Sequence, residues 1–246
     1  MSSFNETGHA KNVANFQDLI AFCATYPAYN PSSAALTVAG LNTKYTDART
    51  ALNGVITAQT TFNNAVNVRK TAFESLRPLA TRVISAFEAC GADAEKVKDA
   101  KSINKKLQGA RATKKETPVP ANPGNPVPAD NSISASQQSY DQQLEHFAKL
   151  INLLTTTAAY TPNETNINLA GLATKLGELQ TANSGVSTAY AALSNSRIAR
   201  DSELYNPHTG LVVIATSVKK YIKSLFGSVS PQYKQVSGLQ FREVPK

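Results

Sequence analysis

The sequence predicts an all-α protein, a tandem duplication of a small up-down helical bundle with long coiled-coil-like helices. Three observations carry that expectation. Apolar residues recur at alternating spacings of three and four, strand-type alternation is missing over comparable lengths, and the chain nearly repeats itself. The repeat is plainest where YNPSSAALTVAGLNTK, beginning at Tyr29, returns as YTPNETNINLAGLATK, beginning at Tyr160. A shift of about 131 residues aligns Phe16 with Phe147, Leu19 with Leu150, Tyr29 with Tyr160, Gly40 with Gly171 and Arg69 with Arg200. Roughly one position in three is identical over this span, well above what shared helical composition gives. Beyond Arg200 the register slips by about four residues, where YNPHTG replaces a shorter ESLRPL.

Start and stop signals divide each copy. A first helix of about eighteen residues ends before Pro27 and Pro31 in one copy and before Pro162 in the other, because proline lacks the amide that continues a helix. Thr7, Ser32 and Asn163 stand where N-caps are wanted, with side-chain oxygens able to accept from free first-turn amides. The triplets Asn5-Glu6-Thr7 and Asn163-Glu164-Thr165 match a glycosylation sequon but are read as helix-start chemistry, the acid lying near the positive end of the dipole.

A long second helix follows. Its seam runs through Val38, Leu41, Tyr45, Ala48, Leu52 and Val55 and on to Phe62, Val66 and Phe73, and Leu169, Leu172, Leu176 and Leu179 repeat it. Asn53-Gly54 and Ser184-Gly185 could fold this helix into a hairpin, yet the heptad phase passes straight through them, so a continuous or bent helix is expected. Pro78 and Asn206-Pro207 mark the turn into a third helix. Gly91-Ala92-Asp93 and Phe226-Gly227-Ser228 end that helix and introduce a fourth, shorter in the second copy.

Between the copies lies KKETPVPANPGNPVPADNS, whose five prolines read as an extended, semi-rigid spacer. The expected organisation is therefore a helical bundle over 1–110, a proline-rich linker over 111–135 and a second bundle over 136–246. The 246 residues are 41% hydrophobic and 17% charged, enough to bury real cores, and no run approaches the roughly 18 apolar residues of a membrane span. No basic-then-apolar leader is visible at the start, so a cytoplasmic location is the expectation, export by a non-standard route being left open. Cys23 and Cys90 form no metal or redox pattern and are expected to pack as small apolar side chains.

Chemistry is hard to find. Of the three histidines, none falls in a Glu-x-x-His pair, and HExxH, a P-loop, a dinucleotide fingerprint and GxSxG are all missing. Acidic residues lie singly along helices rather than in pairs suited to acid/base work. His208, in the turn-like NPHTG, reads as a solvated loop residue. No enzyme activity, cofactor or metal is expected.

Two features invite a binding role. Arg69 and Arg200 occupy the same seam position where apolar residues belong; they are either anion or partner contacts, or arginines that snorkel to water and pair with a glutamate such as Glu74 or Glu203. The second feature is charge. Of the net +8, residues up to Glu95 contribute about zero, Lys96 to Tyr140 roughly +5 and the remainder roughly +3. Within KVKDAKSINKKLQGARATKK, Lys98, Lys101, Lys105 and Lys106 share one helix face opposite Val97, Ala100, Ile103 and Leu107. Such a face could attract nucleic acid or an anionic surface, although aromatic interleaving and a recognised nucleic-acid module are missing, and a charged face usually serves only solvation.

The segments NETGHAKNVANF, ARTALN, SNSRIARDSELY and GLVVIATSVKKYIKSLFGSVSPQYKQVSGLQF resemble a group of uncharacterised bacterial proteins of similar length built from two such halves. The resemblance spans nearly the whole chain and implies no activity, cofactor or catalytic residue. The expected function is a non-enzymatic structural or interaction protein whose two bundles bridge protein partners or self-assemble, a homo-oligomer included. The alternative is a basic module that binds nucleic acid or anionic surfaces through Lys96 to Lys115.

Overall fold

Residues 4–109 and 138–243 are described in a computed structural model of the chain. Among the described residues all regular structure is helical. In chain order it comprises α1 (Phe4–Thr25), a 3-10 turn (Ala34–Leu36), α2 (Val38–Glu74), α3 (Leu76–Ala89), α4 (Ala94–Gln108), α5 (Tyr140–Thr155), α6 (Leu169–Tyr205), α7 (Leu211–Phe226) and α8 (Pro231–Ser237). Asn53-Gly54 and Ser184-Gly185 lie inside α2 and α6, which run unbroken for 37 residues each.

The compact units differ from the expected domains 1–110 and 136–246. One unit joins Met1–Asn63 with Thr188–Lys246, and the other is Asn64–Ser187. The expected linker, 111–135, lies outside the described residues. Helix length gives the reason for the difference. At 1.5 Å per residue α2 is roughly 55 Å long, so α3, which follows its end, cannot return to α1, which precedes its start.

Each unit is thus assembled from both halves of the sequence. In the first, α1 packs on α7 and α8. Phe16, Leu19 and Cys23 of α1 share a core with Ala215, Val218 and Ile222 of α7 and Val236 of α8, to which Leu41 and Ala48 of α2 and Leu204 of α6 add. In the second unit α4 packs on α3 and α5. There Phe147, Leu150 and Leu154 of α5 meet Val83 and Phe87 of α3 and Leu107 of α4, with Phe73 of α2 and Leu172 and Leu179 of α6 completing the core. Phe16 and Phe147, a sequence-paired position, are both fully buried.

The repeated Tyr-Pro segment builds the same clasp at the start of each long helix. Tyr29 donates its hydroxyl to the Leu36 carbonyl at 2.6 Å, and Tyr160 donates to the Ile167 carbonyl at the same distance. The caps are Thr37, whose Oγ1 accepts from the Gly40 amide at 3.1 Å, and Asn168, whose Oδ1 accepts from the Gly171 amide at 2.8 Å. A side chain at either glycine would collide with the backbone of the preceding turn, at the Ala34 carbonyl or the Thr165 carbonyl. Ser32 and Asn163 therefore do not cap the long helices; each stands five residues ahead of the true cap, and Asn163-Glu164-Thr165 leads into a turn instead. Thr7 falls within α1, which already begins at Phe4.

Two outcomes follow from these contacts. Tyr160→Phe leaves the Ile167 carbonyl without its buried donor and costs about 1–3 kcal/mol in urea unfolding, and Gly171→Ala costs a similar amount through overpacking. Fragments 1–120 and 121–246, made separately, lack cooperative thermal unfolding by circular dichroism. An equimolar mixture recovers it.

Candidate functional site

The sequence-predicted contact residues do not form one site. Arg69, on α2, belongs to the second unit and Arg200, on α6, to the first. The guanidinium of Arg69 stacks 4.2 Å from the centre of the Tyr140 ring and its Nη1 donates to Asn183 Oδ1 at 3.2 Å. Asn183 in turn donates to Asp141 Oδ1 at 2.7 Å, while the Arg69 Nε is buried with no acceptor. Arg200 is only 5% exposed and clamps Asp201 Oδ1 from Nε at 3.0 Å and Nη2 at 2.9 Å. Neither arginine takes the expected glutamate, because lysines hold both: Lys70 lies 4.0 Å from Glu74, and Lys44 lies 2.5 Å from Glu203. Arg200 does not snorkel: its head is buried, beside the Asp201 carboxylate.

The basic helix is also engaged at home. Lys98 lies 3.5 Å from Glu95, Lys101 pairs with Glu88, and Lys96 donates to the Thr156 carbonyl at 3.0 Å, closing the C-terminal end of α5. Lys105 and Lys106 are exposed. A shallow depression on the outer side of α4 is lined by Ala94, Val97, Lys98, Lys101, Ser102 and Lys105, with no buried polar group converging there. The remaining basic residues of this stretch, from Arg111 to Lys115, lie outside the described residues.

Sequence reading missed a buried polar row along α1 and α5. Asn12 donates to the Arg242 carbonyl at 2.7 Å and accepts from the Arg242 amide at 3.1 Å, and Asn15 donates to the Gln240 carbonyl at 2.6 Å. Together they strap the C-terminal segment onto the first unit. Phe241 meets Phe16 edge-on, and Lys219 donates to the Leu239 carbonyl, its pKa drawn down by desolvation. His9 Nδ1 and the Tyr205 hydroxyl share a hydrogen bond of 2.6 Å, and Asn12 also donates to that hydroxyl. The signal that could have exposed this row is the pairing of Asn12 with Gln143 and of Asn15 with His146 at the shift of about 131 residues: polar residues stand on a buried face in both halves of the sequence.

In the second unit the row is used differently. Gln143 donates to the Gln138 carbonyl at 2.9 Å, while His146, 3% exposed, keeps Nε2 buried without a partner. Desolvation lowers its pKa below the usual 6.5, and Lys106 on α4 and Lys149 on α5 lower it further against the opposing pull of Glu145. Cys23 is buried too, its thiol pushed up to about 11 by desolvation, so it is no nucleophile. His208 is exposed in its loop. Among the described residues no group of three or more His, Cys, Asp or Glu side chains is placed to hold a metal ion, and no helix is long and apolar enough to cross a membrane. No family model, curated protein or solved structure matches the chain.

Because burial lowers the His146 pKa in the folded state, the unfolded chain binds more protons near and below the usual 6.5. Stability is therefore intact above that pH and falls as pH drops through it toward the lower folded-state value. Urea midpoints at about pH 7.5 and about pH 5.5 check this: the gap narrows in His146→Gln.

Proposed function

We propose that the chain is a non-enzymatic structural or interaction protein, a duplication whose copies exchange helices so that two bundle-like units are tied into one chain. The observation that carries the reading is the use to which most of its buried polar residues are put, His146 Nε2 and Arg69 Nε being the exceptions. His9, Asn12, Asn15, Gln143 and Arg200 each bond a residue of their own unit, and none lines the depression on α4. Buried polar groups used in this way fix a fold, whereas a catalytic site needs such groups converging on a space that a substrate can enter.

Contact with partners is then a matter of the surface. Ile56 and Ile198 are 65% and 64% exposed, and Tyr190 is 58% exposed, all on the long helices within the first unit. Their sequence-paired positions are Ser187, Asn67 and Gln59, so each of these apolar side chains is matched by a polar residue in the other half. Such residues suit association through the long helices, as polar coiled-coil surfaces do when isolated apolar positions meet a second chain.

The self-association form of the proposal predicts a mass above the 26.2 kDa monomer that rises with concentration in light scattering. Ile56→Ser with Ile198→Ser lowers that mass without shifting the thermal midpoint. A strict monomer at every concentration that also captures no protein from its native source overturns the reading.

A further inference from the structure

The end of the first unit formed by the α7–α8 turn is charged in one sign only. Between Glu203 and Glu243 every ionised side chain is basic: Lys219, Lys220, Lys223, Lys234 and Arg242. The segment packed against this turn is uncharged from Leu19 through Thr43; Tyr26 meets Phe226 edge-on and donates its hydroxyl to the Gln232 carbonyl, and Tyr29 meets Tyr221. Lys220, Lys223 and Lys234 are exposed, and among the described residues no carboxylate lies within ion-pair distance of them. At 1.5 Å per residue all three stand within about 10 Å of the turn along their helices.

Apolar side chains project at the same place. Val229 is 81% exposed and Leu225 is 38% exposed, flanking Gly227 and Ser228 in the turn itself. The corresponding turn of the second unit, Gly91 to Asp93, has Ala94 where the first has Val229, and its charges are mixed: Glu88, Asp93, Glu95 and Asp99 stand among Lys96, Lys98 and Lys101, with Lys98 and Lys101 paired to Glu95 and Glu88. The basic and apolar pairing is therefore specific to one end of the chain.

We propose that the α7–α8 turn is a docking surface for an anionic lipid bilayer, with Lys220, Lys223 and Lys234 facing the headgroups and Val229 and Leu225 entering the interface. Charge complementarity selects an anionic occupant, and the exposed aliphatic tip favours a bilayer over a polyelectrolyte. A bilayer buries such side chains at its headgroup boundary, whereas a phosphate backbone offers them nothing. The inference goes beyond self-association and stands without it.

Co-sedimentation of the full chain with vesicles tests it. Binding is expected to vesicles of phosphatidylcholine with about 30% phosphatidylserine, to be weak on phosphatidylcholine alone and to fall with salt. Each lysine near an anionic surface strengthens binding by about fivefold, so the triple variant Lys220→Gln, Lys223→Gln, Lys234→Gln loses about hundredfold. Val229→Ser, at a site too exposed to affect folding, weakens vesicle binding severalfold with the salt dependence unchanged. Undiminished binding by the folded triple variant, no preference for phosphatidylserine, or displacement by duplex DNA with Val229→Ser indifferent, each overturns the proposal.

Discussion

The continuity of α2 and α6 is the constraint on which the rest of the fold depends. Each carries a glycine near its middle, Gly54 and Gly185, where glycine costs a helix about 1 kcal/mol relative to alanine. A break at either point would let the chain double back and close a bundle from neighbouring helices. With no break, the third helix of each copy starts too far from the first to pack on it, and the hydrophobic faces of α1 and α5 must be covered by helices from the other copy. The assembly of each unit from both halves of the sequence follows from helix length.

A helix that long needs a defined beginning, and the Tyr-Pro segment supplies one. The tyrosine hydroxyl holds the carbonyl just before the cap, the cap side chain holds an amide of the first turn, and a glycine lets the preceding turn press against the helix. These three contacts are interdependent, which is why the tyrosine, the glycine and the adjacent buried leucine, Leu41 or Leu172, recur at identical spacing. Burial raises the Tyr160 pKa to about 12, so its hydroxyl stays a proton donor throughout the physiological range. Cap identity is free to vary, and Thr37 is matched by Asn168 because both side chains offer an oxygen to the same amide.

Much of this was legible in the residues, and the failures have physical causes. Helical periodicity, the uninterrupted phase through Asn53-Gly54 and the apolar positions of Phe16 and Phe147, both buried, are local properties that a sequence carries directly. Domain boundaries are not. A continuous long helix and a self-closed bundle were both expected of each copy, and their incompatibility becomes plain only when helix length is set against the return path. Composition points to caps five residues early because Ser32 and Asn163 satisfy the same rule as Thr37 and Asn168, and only the intervening turn separates them. The row of Asn12, Asn15, Gln143 and His146 escaped notice because polar residues on a helix read as solvent-facing until a partner such as the 240–242 segment is seen to cover them.

Sequence-paired positions with unequal partners mark where the two halves differ. Asn15 reaches a carbonyl of the C-terminal segment, whereas His146 at the paired position finds nothing for its Nε2. At the α7–α8 turn lysines gather beside an exposed valine, whereas at the α3–α4 turn four acids stand among lysines, two of the acids matched by Lys98 and Lys101. A buried core tolerates little change without loss of packing, so the apolar sets of the two units stay alike. Surface charge carries no such restriction. Two halves with a similar apolar pattern can therefore carry different contacts, and the residues that distinguish them lie outside the segment that repeats in the sequence.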